Sequence, residues 1–381
     1  MTQQQWGQPT QQPAWGQQQQ PWGQGSGWSQ PQQRPSAPGQ PVPQTPYAPY
    51  QSQPAGYPPP RSGGGSPLKL MLLGLVAALA VGFFFLSLMN YLSTDEQSGP
   101  EPLPSPEVGQ TSAPPTGVPE PDYNAPEAPV PVTWDEAEKW LVDNALYAQS
   151  VQVPTNCTLG RIDVETIAEP ELLEHLNLLT ACLMMVWKEP MERAGFQMPR
   201  PPISVYSQPI TTACGEAELY NAFYCPGDQR IYYASNLHLV FERNDPQVID
   251  NAFLVDYVIG HEFGHAIQGR TGILNAYTAF RTNTKTDEEA LDLGRRSEQQ
   301  ADCLAGMFLN SVAQASQLTD AERTGLEDVA EAIGDDSLSG DPSYVSDHGT
   351  GKARRAWFGL GLQNAGAAVC NTWTAPSDQV R

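Results

Sequence analysis

His261-Glu262-Phe263-Gly264-His265 sets two imidazoles four residues apart with a carboxylate between them. At about 3.6 residues per helical turn, His261 and His265 fall on one face and can offer nitrogens to one cation, the zinc-binding arrangement of HExxH hydrolases. Glu262 then sits beside the metal. From there its carboxylate can take a proton from a zinc-bound water already acidified towards neutrality and hand it to a leaving amine. Only five histidines occur in 381 residues, so an accidental pairing of two around a glutamate is the weaker account.

A catalytic zinc needs a third protein ligand and an open fourth position. A metzincin would carry glycine at 268 and histidine at 271, whereas the chain has Gln268 and Thr271, which excludes that class. A glutamate from a later helix is the other common solution, and Glu298 supplies one, with Asp302 a turn further on. Asp302 can hold a ligand histidine by its other ring nitrogen, fixing tautomer and orientation. A helix-surface residue pairing with a nearby arginine is the alternative reading of that aspartate. Glu288 and Asp292 repeat the same spacing but follow the polar run Thr282–Asp287, while Glu298 opens a stretch containing Leu304, Ala305, Met307, Phe308 and Leu309. A ligand must point inward, so Glu298 is favoured.

These residues need rigid elements. Phe253, Leu254, Tyr257, Val258, Ala266 and Ile267 surround the HExxH segment with apolar side chains, and Gly269 and Gly272 mark where that helix should end. Gly264 leaves room for another backbone to approach closely. Thr133-Trp134-Asp135-Glu136 and Thr319-Asp320-Ala321-Glu322 read as capping boxes that open helices, the second running to Ile333. Pro170 to Ala194 carries a broad apolar face, and a last helix is expected from about Lys352 to Ala368. Strands are expected at Ile203–Tyr206, Leu219–Tyr224 and Arg230–Ala234, the last two joined by a turn at Pro226-Gly227-Asp228. Hydrolysis also needs a donor for the charge that develops on the carbonyl oxygen. His348, before a helix bearing Arg354 and Arg355, is the first candidate and Tyr344 the second; an ordinary loop histidine is the competing account. His175 and His238 read as structural.

Four segments, HEFGHAIQ (261–268), SEQQADCLAG (297–306), YCPGDQRIYY (224–233) and HGTGKARRAWF (348–358), together resemble the neutral zinc metallopeptidase family over roughly Val153 to Trp373. The resemblance implies an α+β, mostly helical, zincin-like domain with a small sheet and a His, His, Glu site at His261, His265 and Glu298. In zincin-like folds an edge strand beside the active-site helix can pair with an extended peptide, and Arg230–Ala234 is the candidate here, with an internal hairpin that makes no substrate contact as the equal alternative.

The remaining chain sets the context. Residues 1–67 are Gln-, Pro-, Gly- and Trp-rich without an acidic residue, so they cannot bury a core and are expected to be a disordered tail. That tail reads either as a dock for a cytosolic partner or as a solvated tether. A transmembrane helix is expected at 68–92, where Leu70 to Leu92 is 23 residues without a charge, enough to cross about 30 Å of hydrocarbon. Arg34, Arg61 and Lys69 precede it and the next basic residue is Lys139, which places the N-terminus in the cytoplasm and the rest outside the cell membrane. A Pro- and Glu-rich linker, 93–132, leads to a domain at 133–375. The net charge is −22, and those three basic residues are the only charges among the first 69, so the remainder carries −25. Such acidity argues against nucleic acid as a partner. All six cysteines lie beyond the apolar stretch, which suggests disulfides in an oxidising compartment. Of fifteen possible connectivities, the expected one joins Cys157 to Cys182, Cys214 to Cys225 and Cys303 to Cys370.

The reading is a membrane-anchored, extracytoplasmic zinc metallopeptidase acting on a peptide or protein. An amidase for a non-protein substrate and a catalytically idle binding module are the alternatives.

Overall fold

The computed structural model describes residues 118–381, so the tail, the expected membrane span and the first part of the linker lie outside the described residues. Among the described residues no helix is long and apolar enough to cross a membrane. The helices in chain order are α1 (Trp134–Val142), α2 (Glu169–Arg193), α3 (His238–Asn244), α4 (Leu254–Arg270), α5 (Ile273–Arg281), α6 (Asp287–Val312), α7 (Asp320–Ala332), α8 (Asp335–Ser339), α9 (Gly351–Leu362) and α10 (Ser377–Val380). Five short strands fall between α2 and α3, making an α+β, mostly helical fold with two small sheets.

Local chemistry explains where the helices begin. The Thr133 hydroxyl accepts the Glu136 N–H that opens α1, while Glu136 reaches back to the Val132 N–H, one residue earlier than a reciprocal box requires. Thr319 and Glu322 form the full box at the start of α7. Along α2, Leu172, Leu176, Leu179, Leu183, Val186 and Trp187 are buried at helical spacing, which turns one face of this 25-residue helix into core.

The HExxH helix α4 is buried almost all round and packs along α6. Small residues set how closely they approach: a Cβ on Gly264 would lie 3.0 Å from the Ala301 Cα, and one on Gly260 would lie 3.3 Å from the Ala305 Cβ. Helix α9 closes the other side of α6, where a Cβ on Gly361 would meet the Cys303 carbonyl oxygen at 2.0 Å. The final helix, expected from about Lys352 to Ala368, is shorter. It stops at Leu362, where the Asn364 side chain caps the Leu360 carbonyl; the chain then bridges Ser150 at Gly366 and enters a 3-10 turn, Ala367–Cys370.

The larger sheet has the order β1 (Ile203–Tyr206), β5 (Arg230–Ala234), β4 (Ala222–Cys225), with β1 parallel to β5 and β4 antiparallel to it. The smaller pairs β2 (Ile210–Thr212) with β3 (Gly215–Ala217). This corrects the edge-strand expectation: Arg230–Ala234 is the central strand, and the edge that packs on α4 is β4. The continuous burial of Ile231 to Ala234 is the pattern of a strand covered on both faces.

All three expected disulfides are present, Cys157–Cys182, Cys214–Cys225 and Cys303–Cys370. Residues 118–132 lie against the domain. Their carbonyls accept from its side chains, Pro126 from Gln229 (2.8 Å) and Arg270 (2.6 Å) and Pro129 from Asn275 (2.7 Å), and Arg230 stacks over the Tyr123 ring.

Candidate metal centre

His261, His265 and Glu298 converge where α4 crosses α6. The two Nε2 atoms are 3.1 Å apart, and Glu298 places Oε2 3.3 Å from His261 Nε2 and Oε1 3.5 Å from His265 Nε2. A tetrahedron with bonds of 2.0–2.1 Å has edges of about 3.3 Å, which these separations bracket.

The tautomers sharpen the case. His261 Nδ1 lies 2.8 Å from Asp302 Oδ1 and His265 Nδ1 lies 2.8 Å from Gln268 Oε1, both acceptors. Each ring therefore carries its proton on Nδ1 and turns an Nε2 lone pair towards the other ring and the carboxylate. Three lone-pair donors facing one another are repulsive unless a cation sits among them, so the residues present fit a zinc ion. The electrostatics favour positive charge among these groups, whether carried by a proton or by a metal ion: burial alone would lower His261, but the Asp302 and Glu298 carboxylates raise it. Burial would raise Glu298, yet the charge of His265 and the hydrogen bonds of both histidines hold it well below the usual carboxylate range.

Asp302 is fully buried, which rules out the helix-surface reading, and it takes an arginine and a histidine together. Its Oδ1 accepts from Tyr257 Oη (2.8 Å), His261 Nδ1 and Arg354 Nη2 (2.9 Å), while Oδ2 accepts from Arg354 Nε (2.9 Å). Burial raises its carboxyl, and the Arg354 guanidinium more than reverses this. Each polar residue of the segment 297–302 has a task. Ser297 and Gln300 hold Gln268, Glu298 faces the histidines, Gln299 donates to the His348 carbonyl and Asp302 holds His261.

Glu262 is buried, and its Oε2 accepts the backbone N–H of Tyr224 on β4 at 2.7 Å. His348 is half-exposed in the loop before α9, with Asp335 at 3.4 Å and Asp347 at 3.8 Å from Nδ1, close enough to Glu298 for their charges to act on each other. Tyr344 is an exposed loop residue. The competitors of Glu298 point elsewhere: Glu288 pairs with Arg295 and Asp292 with Arg296. His175 bonds to buried Asp256, linking α2 to α4.

Sequence reasoning missed Arg354, Tyr257 and Gln268 as supports. Arg354 lies in the C-terminal motif and Tyr257 one turn before His261, so only Arg354 carried a signal, and its partner was invisible. Gln268, three residues after His265 on the same helix, entered in excluding a metzincin and as the end of the HEFGHAIQ segment, without a role of its own. Tyr277 and Arg281 on α5 were also missed; Arg281 contacts the Tyr277 hydroxyl and binds Asp347, and Tyr277 feels the charge of Glu298.

A family model described as "Putative neutral zinc metallopeptidase" matches residues 148–373. The uncharacterized protein YpfJ of Escherichia coli strain K12 is 31% identical over 211 residues, 54% of this chain and 72% of its own. The uncharacterized protein Rv2575 of Mycobacterium tuberculosis strain H37Rv is 28% identical over 192 residues, 46% of this chain and 63% of its own. No solved structure matches the chain significantly.

Proposed function

The chain belongs to the neutral zinc metallopeptidase family, and from that premise we propose a membrane-anchored, extracytoplasmic peptidase of zincin-like fold in which His261, His265 and Glu298 hold zinc. Zinc bound there would polarise the scissile carbonyl and acidify a water towards neutrality. Glu262 is the general base. The Tyr224 N–H holds one of its oxygens, leaving the other to take the proton that the attacking water loses and return it to the leaving nitrogen. His348, oriented by Asp335, donates to the oxygen on which charge develops. Asp302, fixed by Arg354 and Tyr257, keeps His261 in the ligating tautomer.

The observation that carries this reading is the convergence of His261, His265 and Glu298 beside a buried glutamate. Three disulfides support an oxidising compartment. A charge of −25 beyond residue 69 favours peptide or protein over nucleic acid as the substrate. The test is metal analysis of the purified protein together with digestion of a peptide library. One zinc per chain and cleavage that Glu262→Gln abolishes without loss of zinc are expected. Undiminished cleavage by Glu262→Gln would sink the base assignment, and zinc without cleavage of any peptide would move the reading to an amidase or a binding module.

A further inference from the structure

We propose that Gln268 is a positioning residue for the metal, locking His265 in the tautomer that offers Nε2. The inference rests on the reading of His261, His265 and Glu298 as zinc ligands. Its starting point is a backbone atom. Gln268 Nε2 lies 2.8 Å from the Ser297 carbonyl oxygen, which can only accept, so the amide nitrogen must face α6 and the amide oxygen must face His265. Gln268 Oε1, 2.8 Å from His265 Nδ1, then requires the proton to be on Nδ1. The residue just before Glu298 thus dictates, through one side chain, which nitrogen of His265 is free for the metal.

Two further bonds keep the amide from flipping. Gln268 Nε2 also donates to Gln300 Oε1 (3.1 Å), and the Ser297 hydroxyl donates to Gln268 Oε1 (3.1 Å). Gln300 is oriented in turn, because its Nε2 donates to the Cys370 carbonyl and the Tyr147 hydroxyl, each at 3.0 Å. Gln268 and Gln300 are fully buried, so no solvent competes for these bonds. The chain of amides ends at Cys370, which is bonded to Cys303, the residue after Asp302. The supports of both histidines therefore meet at one disulfide-bonded stretch of α6. They differ in charge: His261 leans on a carboxylate and His265 on a neutral amide.

Gln268→Met keeps the length and shape of the side chain and removes the acceptor. Zinc affinity is measured by competition with a chelator, and the exchangeable ring N–H protons are observed by NMR in the full-length cobalt(II)-substituted protein. The native protein should show two shifted ring N–H signals. In Gln268→Met one should vanish into fast exchange with water, with zinc affinity lowered about 10- to 100-fold. Both signals retained, or affinity within about twofold of native, would overturn the role; so would weaker binding with both signals intact, since that is a packing effect. If Gln268→Met does not fold, Gln268→Asn, which keeps the polarity and withdraws the acceptor by one methylene, is held to the same expectation. A native protein that takes up no zinc at these residues would overturn the site reading itself, and this inference with it.

Discussion

Asp302 Oδ1 takes three donors at once, so its replacement acts on the metal and on the fold together. Asp302→Asn leaves an oxygen for His261 but strips the counter-charge from Arg354, which is itself buried. Zinc affinity should fall about 10- to 100-fold. Stability should fall by about 3 kcal/mol, as when one partner of a buried ion pair is lost. Chelator competition reads the first and thermal unfolding of the zinc-free protein the second; unchanged affinity with lowered stability would leave Asp302 only its structural task. The choice of third ligand is tested more directly. Glu298→Ala should strip the metal, whereas Glu288→Ala should leave it, because Glu288 is an exposed partner of Arg295. The reverse outcome in a metal assay would reassign the ligand.

Between elements, the contact that matters is α4 on α6, since it carries two proposed ligands on one helix and one on the other. Replacing glycine by alanine within a helix favours the helix by up to about 1 kcal/mol through backbone entropy. Gly260→Ala should come out near neutral, because its new methyl meets the methyl of Ala305 at 3.3 Å. At Gly264 the new methyl meets the Ala301 backbone at 3.0–3.1 Å, which cannot give way without moving α6. Gly264→Ala should therefore cost about 1–3 kcal/mol and weaken zinc binding, as the helices part between His265 and Glu298. Calorimetry and metal titration of the two variants check this, and equal behaviour would show that the helix spacing is not set there.

For the molecule as a whole, the disulfides close loops of very different length, separated by 67, 25 and 11 residues. Loop-closure entropy ranks Cys303–Cys370 first, at about 4 kcal/mol, and Cys214–Cys225 last, at about 3 kcal/mol. Paired Cys→Ala replacements should follow that order in denaturant midpoint. The first pair should also weaken the metal site, because Cys370 anchors Gln300. Topology gives a separate expectation. Protease added outside intact cells should attack the chain beyond residue 93 and spare a tag at the N-terminus, and protection of a C-terminal tag instead would invert the proposed orientation.

Much of the centre was legible in the linear chain because its key relations are local. His261 and His265 are four residues apart, as are Glu298 and Asp302, so spacing alone put each pair on one face. The capping residues of α1 and α7 and the burial face of α2 were legible for the same reason: each depends on neighbours within four residues. Hydrogen bonds across elements were not. Nothing near Arg230–Ala234 announced that β1 would pair on its far side, so the strand read as an edge; only the parallel pairing of Ile203 with Ile231 made it central and left β4 to hold Glu262. Arg354 lies 52 residues from Asp302 and Gln268 29 from Ser297, and spacing of that size carries no periodic signal. The residue types of the centre were therefore determined by the sequence, whereas their tautomers, buried counter-charges and mutual distances were decided by how α4, α6 and α9 pack, because a hydrogen bond is set by position in space and not by separation along the chain.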